Sequence, residues 1–312
     1  MNPKVTIIIA TYNREKYFLE TLLSIQNQTF SDWECLIIDD GSTDHTVEII
    51  KPILALESRF QYYLRDVKYT KGTSGCRNYG LDMAKGDYII FFDDDDIVHP
   101  QNLELCVDEL SKKDISFCRY IRDVFFNEFD CTYDYSKKYN SFYIDLTDLE
   151  KMLKNELHFN SCAVMWKEAC FANARFNEKI SYCDEWELYS RILSTGIKGI
   201  SIDKCLFYGR KHPDSITGEY NRNDAIRRAS HTEALLLVLQ NLKEKQLLTY
   251  SLKRYFIAFS IDFEEYHLFK NILNILELTT FEKMKWQLFY AVLPLRLKIH
   301  RKKKTLKRKF NL

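Results

Sequence analysis

Four consecutive carboxylates, Asp93-Asp94-Asp95-Asp96, follow the run Tyr88-Ile-Ile-Phe-Phe92. Adjacent carboxylates repel one another, so the arrangement costs stability unless a cation or hydrogen-bond donors compensate. Hard divalent cations such as Mg²⁺ or Mn²⁺ prefer oxygen ligands and, with phosphates as co-ligands, need only one or two carboxylates. The tetrad therefore reads either as a metal site or as a solvated acidic turn ahead of a helix that starts near Pro100. A second acidic pair, Asp39-Asp40, stands directly before Gly41-Ser42.

The elements that must position these groups follow from hydrophobic spacing. Tyr88 to Phe92 is wholly β-branched or aromatic, the pattern of a buried central strand. Val5 to Ile9, Trp33 to Ile38 and Phe60 to Leu64 read as three further strands. Between them, Arg14 to Gln28 has helical spacing at Phe18, Leu19, Leu22, Leu23 and Ile25, and Ser42 reads as the N-cap of a helix running to about Leu56. Cys76 to Lys85 is a short helix with Arg77 in its first turn, stopped by Gly86; Pro100 to Ser111 is helical and Ile115 to Tyr120 a strand. Strands alternating with helices imply an α/β fold with a parallel sheet covered on both faces. In such sheets ligands bind at the carboxyl ends of the strands, which collects Tyr12, Asp39, Asp40 and the tetrad in one cleft.

Further on, residues 121 to 140 are rich in Phe, Tyr and Asp without clear periodicity and receive no assignment. Asp148 to Leu157 reads as a helix, Ser161 to Trp166 as a strand, Glu185 to Leu193 as a helix and Ile200 to Tyr208 as a strand. Beyond about Asn221 glycine disappears and helical spacing takes over, which places a domain boundary near Glu219: an α/β domain over 1–219 and a helical one over 220–312.

Composition agrees with a folded chain: 46% hydrophobic and 29% charged residues over 312 positions. Nine scattered cysteines without a CxxC pair, and no signal peptide ahead of the first strand, lead us to expect a reduced, cytosolic protein with buried thiols and no structural zinc. No apolar run approaches the roughly 18 residues of a membrane span. The net charge of +1 hides an asymmetry, because Arg296 to Lys309 carries nine Lys or Arg and no acid.

Four stretches, in order and over the first hundred residues, resemble family 2 glycosyltransferases of the GT-A fold: Val5-Thr-Ile-Ile-Ile-Ala-Thr-Tyr-Asn13, Leu36-Ile-Ile-Asp-Asp-Gly-Ser-Thr-Asp44, Cys76-Arg-Asn-Tyr-Gly80 with Ala84-Lys-Gly-Asp87, and Phe92-Asp-Asp-Asp-Asp-Ile-Val-His-Pro100. Fainter matches reach about residue 217. The resemblance implies a mostly parallel, Rossmann-like sheet and transfer of a sugar from a UDP-sugar to a saccharide acceptor with inversion. It also implies roles. Ala10 and Tyr12 would lie at the nucleotide, with Tyr12 stacked on the base, and Asp39 would accept from the base's imide N–H, Asp40 being either a second contact or a helix-capping carboxylate. Arg77 would face the diphosphate, where a planar fork of donors suits phosphate oxygens. Asp94 would lie near the ribose and Asp95 would bind Mn²⁺ or Mg²⁺, with Asp93 and Asp96 as supports.

Inversion needs one carboxylate base on the acceptor hydroxyl. The family's Glu-Asp pair stands here in reversed order, as Asp184-Glu185. Counting back from Leu188 and Arg191 puts Glu185 in the base position with Asp184 beside it, although acids also favour a helix N-terminus for electrostatic reasons alone. Arg210-Lys-His212 followed by Ser215 resembles the family's C-terminal segment, so that His212 would approach the metal or the diphosphate, Lys211 being the alternative phosphate contact.

Trp286 to Leu297 is apolar and aromatic, and the basic cluster follows it. Such a tail suits an anionic membrane surface, with roughly 1 kcal/mol of attraction per basic residue; an apolar helix with a loose basic end is the other reading. No nucleic-acid-binding motif accompanies the charge. The expectation is an enzyme of polysaccharide biosynthesis at the inner face of the cell membrane, with a lipid-linked acceptor. A non-catalytic nucleotide-sugar-binding scaffold and a nucleotidyltransferase remain as rivals.

Overall fold

In the computed structural model, which describes residues 2–212, 215–263, 266–276 and 278–310, the apolar runs form one mixed sheet. Its strands are β1 (Val5–Thr11), β2 (Trp33–Asp39), β3 (Phe60–Leu64), β4 (Tyr88–Phe92), β5 (Ile97–Val98), β6 (Phe117–Phe126), β7 (Ser141–Ile144), β8 (Val164–Lys167) and β9 (Gly199–Lys211). The order is β3-β2-β1-β4-β8-β6-β9-β5, with β7 on β9. The half β3-β2-β1-β4 is parallel, as the alternation implied. Beyond it β8 runs antiparallel to both β4 and β6, whereas β6 and β9 pair in parallel.

Helices α1 (Phe18–Gln26), α2 (Thr46–Leu56), α3 (Thr73–Met83), α4 (Asn102–Lys112), α5 (Leu149–Leu153) and α6 (Asp184–Leu193) surround the sheet. All five side chains of β4 are buried; Tyr88, Ile90 and Phe92 pack with Ile7, Ile9, Met165 and Phe207 in the main core, while Phe91 packs against Phe171 and Phe176 on the other face. Alpha-helical and strand residues bury side chains here at about 1.5–3 kcal/mol each. Helix α3 approaches β1 closely at Gly80, where an added Cβ would sit 2.5 Å from Ile8.

Several expected boundaries move. Ser42 does not cap α2; the helix starts at Thr46, and the Ser42 hydroxyl donates to Asp39 instead. Ser161 to Ala163 form a 3₁₀ turn before β8, and residues 121–126, which had no assignment, prolong β6. All nine cysteines are free thiols.

The helices α7 (Ile216–Asn221), α8 (Ala225–Glu244), α9 (Tyr250–Asp262), α10 (Tyr266–Ile275), α11 (Thr280–Ala291) and α12 (Leu293–Phe310) complete the described chain. Two compact units emerge, 1–234 and 235–312, with the division inside α8 rather than near Glu219. Among the described residues no helix is long and apolar enough to cross a membrane. Pro213 and Asp214, part of the segment that resembles the family after His212, lie outside the described residues.

Candidate active site

The site is set by register. Thr11 at the end of β1 pairs with Asp39 at the end of β2, and Ile9 pairs with Phe92 at the end of β4. Tyr12, Asp39-Asp40 and Asp93 thus leave the sheet at the same edge. Gly41, at φ +91°, turns the chain after the acidic pair, a conformation that strains any side chain.

The two aspartates of that pair differ in a way the sequence does not reveal. Asp39 is 1% exposed, and its carboxylate accepts from the backbone N–H groups of Gly41 and Ser42, the Ser42 hydroxyl and the Tyr62 hydroxyl, at 2.7–2.9 Å. Four donors leave this carboxylate committed to the turn. Asp40 accepts from Arg65 Nε at 2.5 Å through one oxygen. Tyr12 is 44% exposed with the Lys71 ammonium 4.7 Å over its ring, and Ala10 packs with Leu36, Ile38 and Cys76 beneath α3.

The tetrad is held by cations on several elements. Arg14 Nε donates to Asp94 at 2.8 Å and its Nη2 lies 3.5 Å from Asp95. His212 Nε2 is 3.0 Å from Asp95 Oδ2, and its ring packs against Tyr17. Arg210 donates its backbone N–H to Asp96 at 2.6 Å and its Nε to the Asp95 carbonyl at 2.9 Å. Arg77, only 5% exposed, donates to Asp93 at 3.0 Å, to Ser161 at 3.3 Å and to Asp184 at 3.3 Å. Its fork is therefore spent on two carboxylates of the protein itself.

Burial pushes the Asp94 carboxyl up to about 7, against the pull of Arg14. For Asp96, burial and the charges of Asp95 and Asp93 raise it well above the usual carboxylate range. Asp95 is also buried, but the His212 hydrogen bond and the Arg14 charge outweigh that and hold it below its ordinary value. Only one acid of the three is thus kept firmly ionised.

That acid fits a divalent ion. Its Oδ2 and the His212 Nε2 are 3.0 Å apart, close to the edge between neighbouring ligands of an octahedral ion with bonds of about 2.1 Å. His212 Nδ1 is buried and has no hydrogen-bond partner among the described residues. A second grouping, Asp93, Asp96 and Cys162, has ligand atoms within 4.8 Å, yet burial raises the Cys162 thiol well above its ordinary value, and a soft, protonated sulfur suits neither Mg²⁺ nor Mn²⁺.

Helix α6 presents the remaining carboxylates. Cys183 precedes it at φ 63°, ψ 25°, a left-handed conformation that turns Asp184 and Glu185 into the helix's first turn. Asp184 is 7% exposed and also accepts from the Ser74 hydroxyl at 3.0 Å. Glu185 retains partial exposure, and burial of its carboxyl next to Asp184 pushes it up to about 8. The loop before α6 is fastened by α8: Ser230 Oγ accepts from the backbone N–H groups of Ser181 and Tyr182 at 2.8 and 2.9 Å, and Tyr182 stacks on Tyr220 with centroids 4.4 Å apart. Lys211, at the end of β9, is half-buried, and burial with the Arg122 charge lowers its pKa.

Arg14 and Arg65 are the residues that reading the sequence missed. No local pattern marks either, since Arg14 sits in the turn after β1 and reaches an acid 80 residues away.

Comparison with known proteins places this arrangement. S. aureus TarS, residues 1–349 in complex with UDP, superimposes with a TM-score of 0.62 at 19% identity, covering 91% of this chain and 78% of that one. The mannosyltransferase PcManGT of Pyrobaculum calidifontis, solved with GDP-Man and Mn²⁺, gives 0.57 at 15% identity over 88% of this chain and 74% of its own. Both likenesses show the GT-A fold. In sequence, the chain is 38% identical over 94 residues to the GalNAc(5)-diNAcBac-PP-undecaprenol beta-1,3-glucosyltransferase of Campylobacter jejuni, a stretch covering 30% of each protein. The match thus spans less than a third of that relative's length. The family model for glycosyl transferase family 2 matches residues 6–171, more than half of the chain, and to that family the protein belongs.

Proposed function

We propose that the protein is an inverting, metal-dependent glycosyltransferase that moves a sugar from a UDP-sugar to a saccharide acceptor on a lipid carrier. The observation that carries this reading is that one buried guanidinium, Arg77, joins Asp93 of the tetrad to Asp184, the neighbour of Glu185, so that the strand-end acids and the α6 carboxylates share one site. The UDP bound to TarS and the undecaprenol-linked acceptor named for the C. jejuni relative support the choice of donor and acceptor.

In this reading Tyr12 stacks on the base through the ring face that Lys71 leaves open, and Asp40, not Asp39, accepts the imide N–H with its second oxygen. Arg14 and Lys211 supply positive charge beside the diphosphate. Asp95 and His212 would hold Mn²⁺ or Mg²⁺, and such an ion would supply neutralisation of charge on the departing UDP. Glu185 takes the proton from the attacking hydroxyl. Asp184, pinned by Arg77 and Ser74, positions it.

UDP release by the purified protein, measured across a panel of UDP-sugars with Mn²⁺ and with EDTA, tests the reading. Metal-dependent release from one sugar is expected, with Glu185→Gln retaining UDP binding and losing turnover. Absence of both UDP release and metal-dependent UDP binding would overturn it.

A further inference from the structure

Helices α11 and α12 carry two apolar faces, and only one is used internally. Trp286 and Phe289 pack against Phe269, while Leu293 and Leu297 are 1% and 6% exposed. On the other face stand Phe281, Met284, Leu288, Val292, Leu295 and Ile299, each three or four residues from the next and between 42% and 77% exposed. Single exposed hydrophobics are ordinary, but a helical stripe of six is the mark of a surface that meets another apolar phase. Exposed basic residues accompany it: Lys283, Lys285, Arg296, Lys298, Lys302 and Lys303. Glu282 is the one acid in residues 280–310.

We propose that this stripe lies in the plane of an anionic lipid bilayer, with the flanking lysines and arginines on the headgroups. The charge decides the occupant. A second copy of the same face would bring its own basic cluster against this one, a like-charge juxtaposition that opposes association. A polyanion such as nucleic acid would answer the charge but leave the apolar stripe in water. An anionic membrane surface satisfies both, because apolar burial and electrostatic attraction act together on an amphipathic, lysine-rich helix. Neither helix is long and apolar enough to span, so the segment rests on the surface. The inference uses α11 and α12 alone and stands apart from the sugar-transfer reading.

Flotation of the full chain with vesicles tests it, comparing pure phosphatidylcholine with a mixture rich in phosphatidylglycerol. The chain is expected to float with the anionic vesicles only, and less so in about 0.5 M NaCl, where headgroup attraction is screened. Leu288→Glu with Leu295→Glu should weaken partitioning by about tenfold or more with an unchanged melting curve and unchanged UDP release in solution. Lys298→Glu with Lys302→Glu and Lys303→Glu should weaken it through charge alone. Absence of flotation would overturn the proposal. So would stripe variants that float like the wild type while the charge variants do not, since the basic cluster would then be a general polyanion site.

Discussion

Arg77 Nη1 lies 3.3 Å from Asp184 Oδ2, joining the second turn of α3 to the first turn of α6 across 107 residues of chain. The same guanidinium donates to Asp93, so the end of β4 and the start of α6, which carries Glu185, are held by one buried cation. Removing one partner of a buried pair strands the other charge at a cost of about 3–5 kcal/mol. Arg77→Met should therefore lower the urea unfolding free energy by roughly that amount. Arg77→Lys should recover little of it, because a single ammonium cannot reproduce the fork. A loss under about 1 kcal/mol would show that the pair does not hold these elements together.

The pH dependence of transfer follows from Glu185. In its proposed role of base it must be ionised, and its carboxyl is pushed up to about 8. The kcat/KM for transfer should thus climb with pH through neutrality and level off above about 8, the free-enzyme inflection that such a profile reports. Glu185→Gln should cost roughly 10²–10⁴-fold and remove the inflection. A wild-type profile flat from pH 6 to about 9 would take the base role from this residue.

Asp39 and Asp40 should separate stability from binding. In Asp39→Asn an amide nitrogen must face donors now satisfied by carboxylate oxygens, so unfolding should ease by roughly 1–3 kcal/mol. Asp40→Asn keeps an acceptor for Arg65 and should change stability by less, yet weaken UDP binding about tenfold in calorimetry. Equal UDP affinity in wild type and Asp40→Asn would return the base contact to Asp39.

Cys183 sits at φ 63°, where an L-residue costs roughly 1–2 kcal/mol relative to the right-handed region. Cys183→Gly should melt at or above the wild-type temperature, and Cys183→Val well below it. The reverse order would mean that packing of the thiol outweighs the backbone.

The parallel half of the sheet was legible because its strands are buried on both faces, so Ile7, Ile37 and Ile90 announce themselves as apolar runs. The acidic tetrad was legible for the opposite reason, as a local violation of good folding practice. What stayed hidden depends on contacts distant in sequence. Nothing adjacent to Asp39 says that Tyr62 will donate to it, and nothing near Arg14 says that it will meet Asp94. The Ser42 error is local instead: α2 starts four residues later, at Thr46, and the Ser42 hydroxyl donates to Asp39, three residues back. Residues 121–126 were obscure because much of the outer half of β6 is exposed, which blurs the alternation that marks a strand.

The bonds from Ser181 and Tyr182 to Ser230 limit how the gene can be cut. A fragment ending at Glu219 would remove Tyr220 and Ser230 together, loosening the segment that delivers Glu185. The shortest self-sufficient catalytic fragment should end no earlier than Ala234, and expression trials of soluble fragments are best begun there.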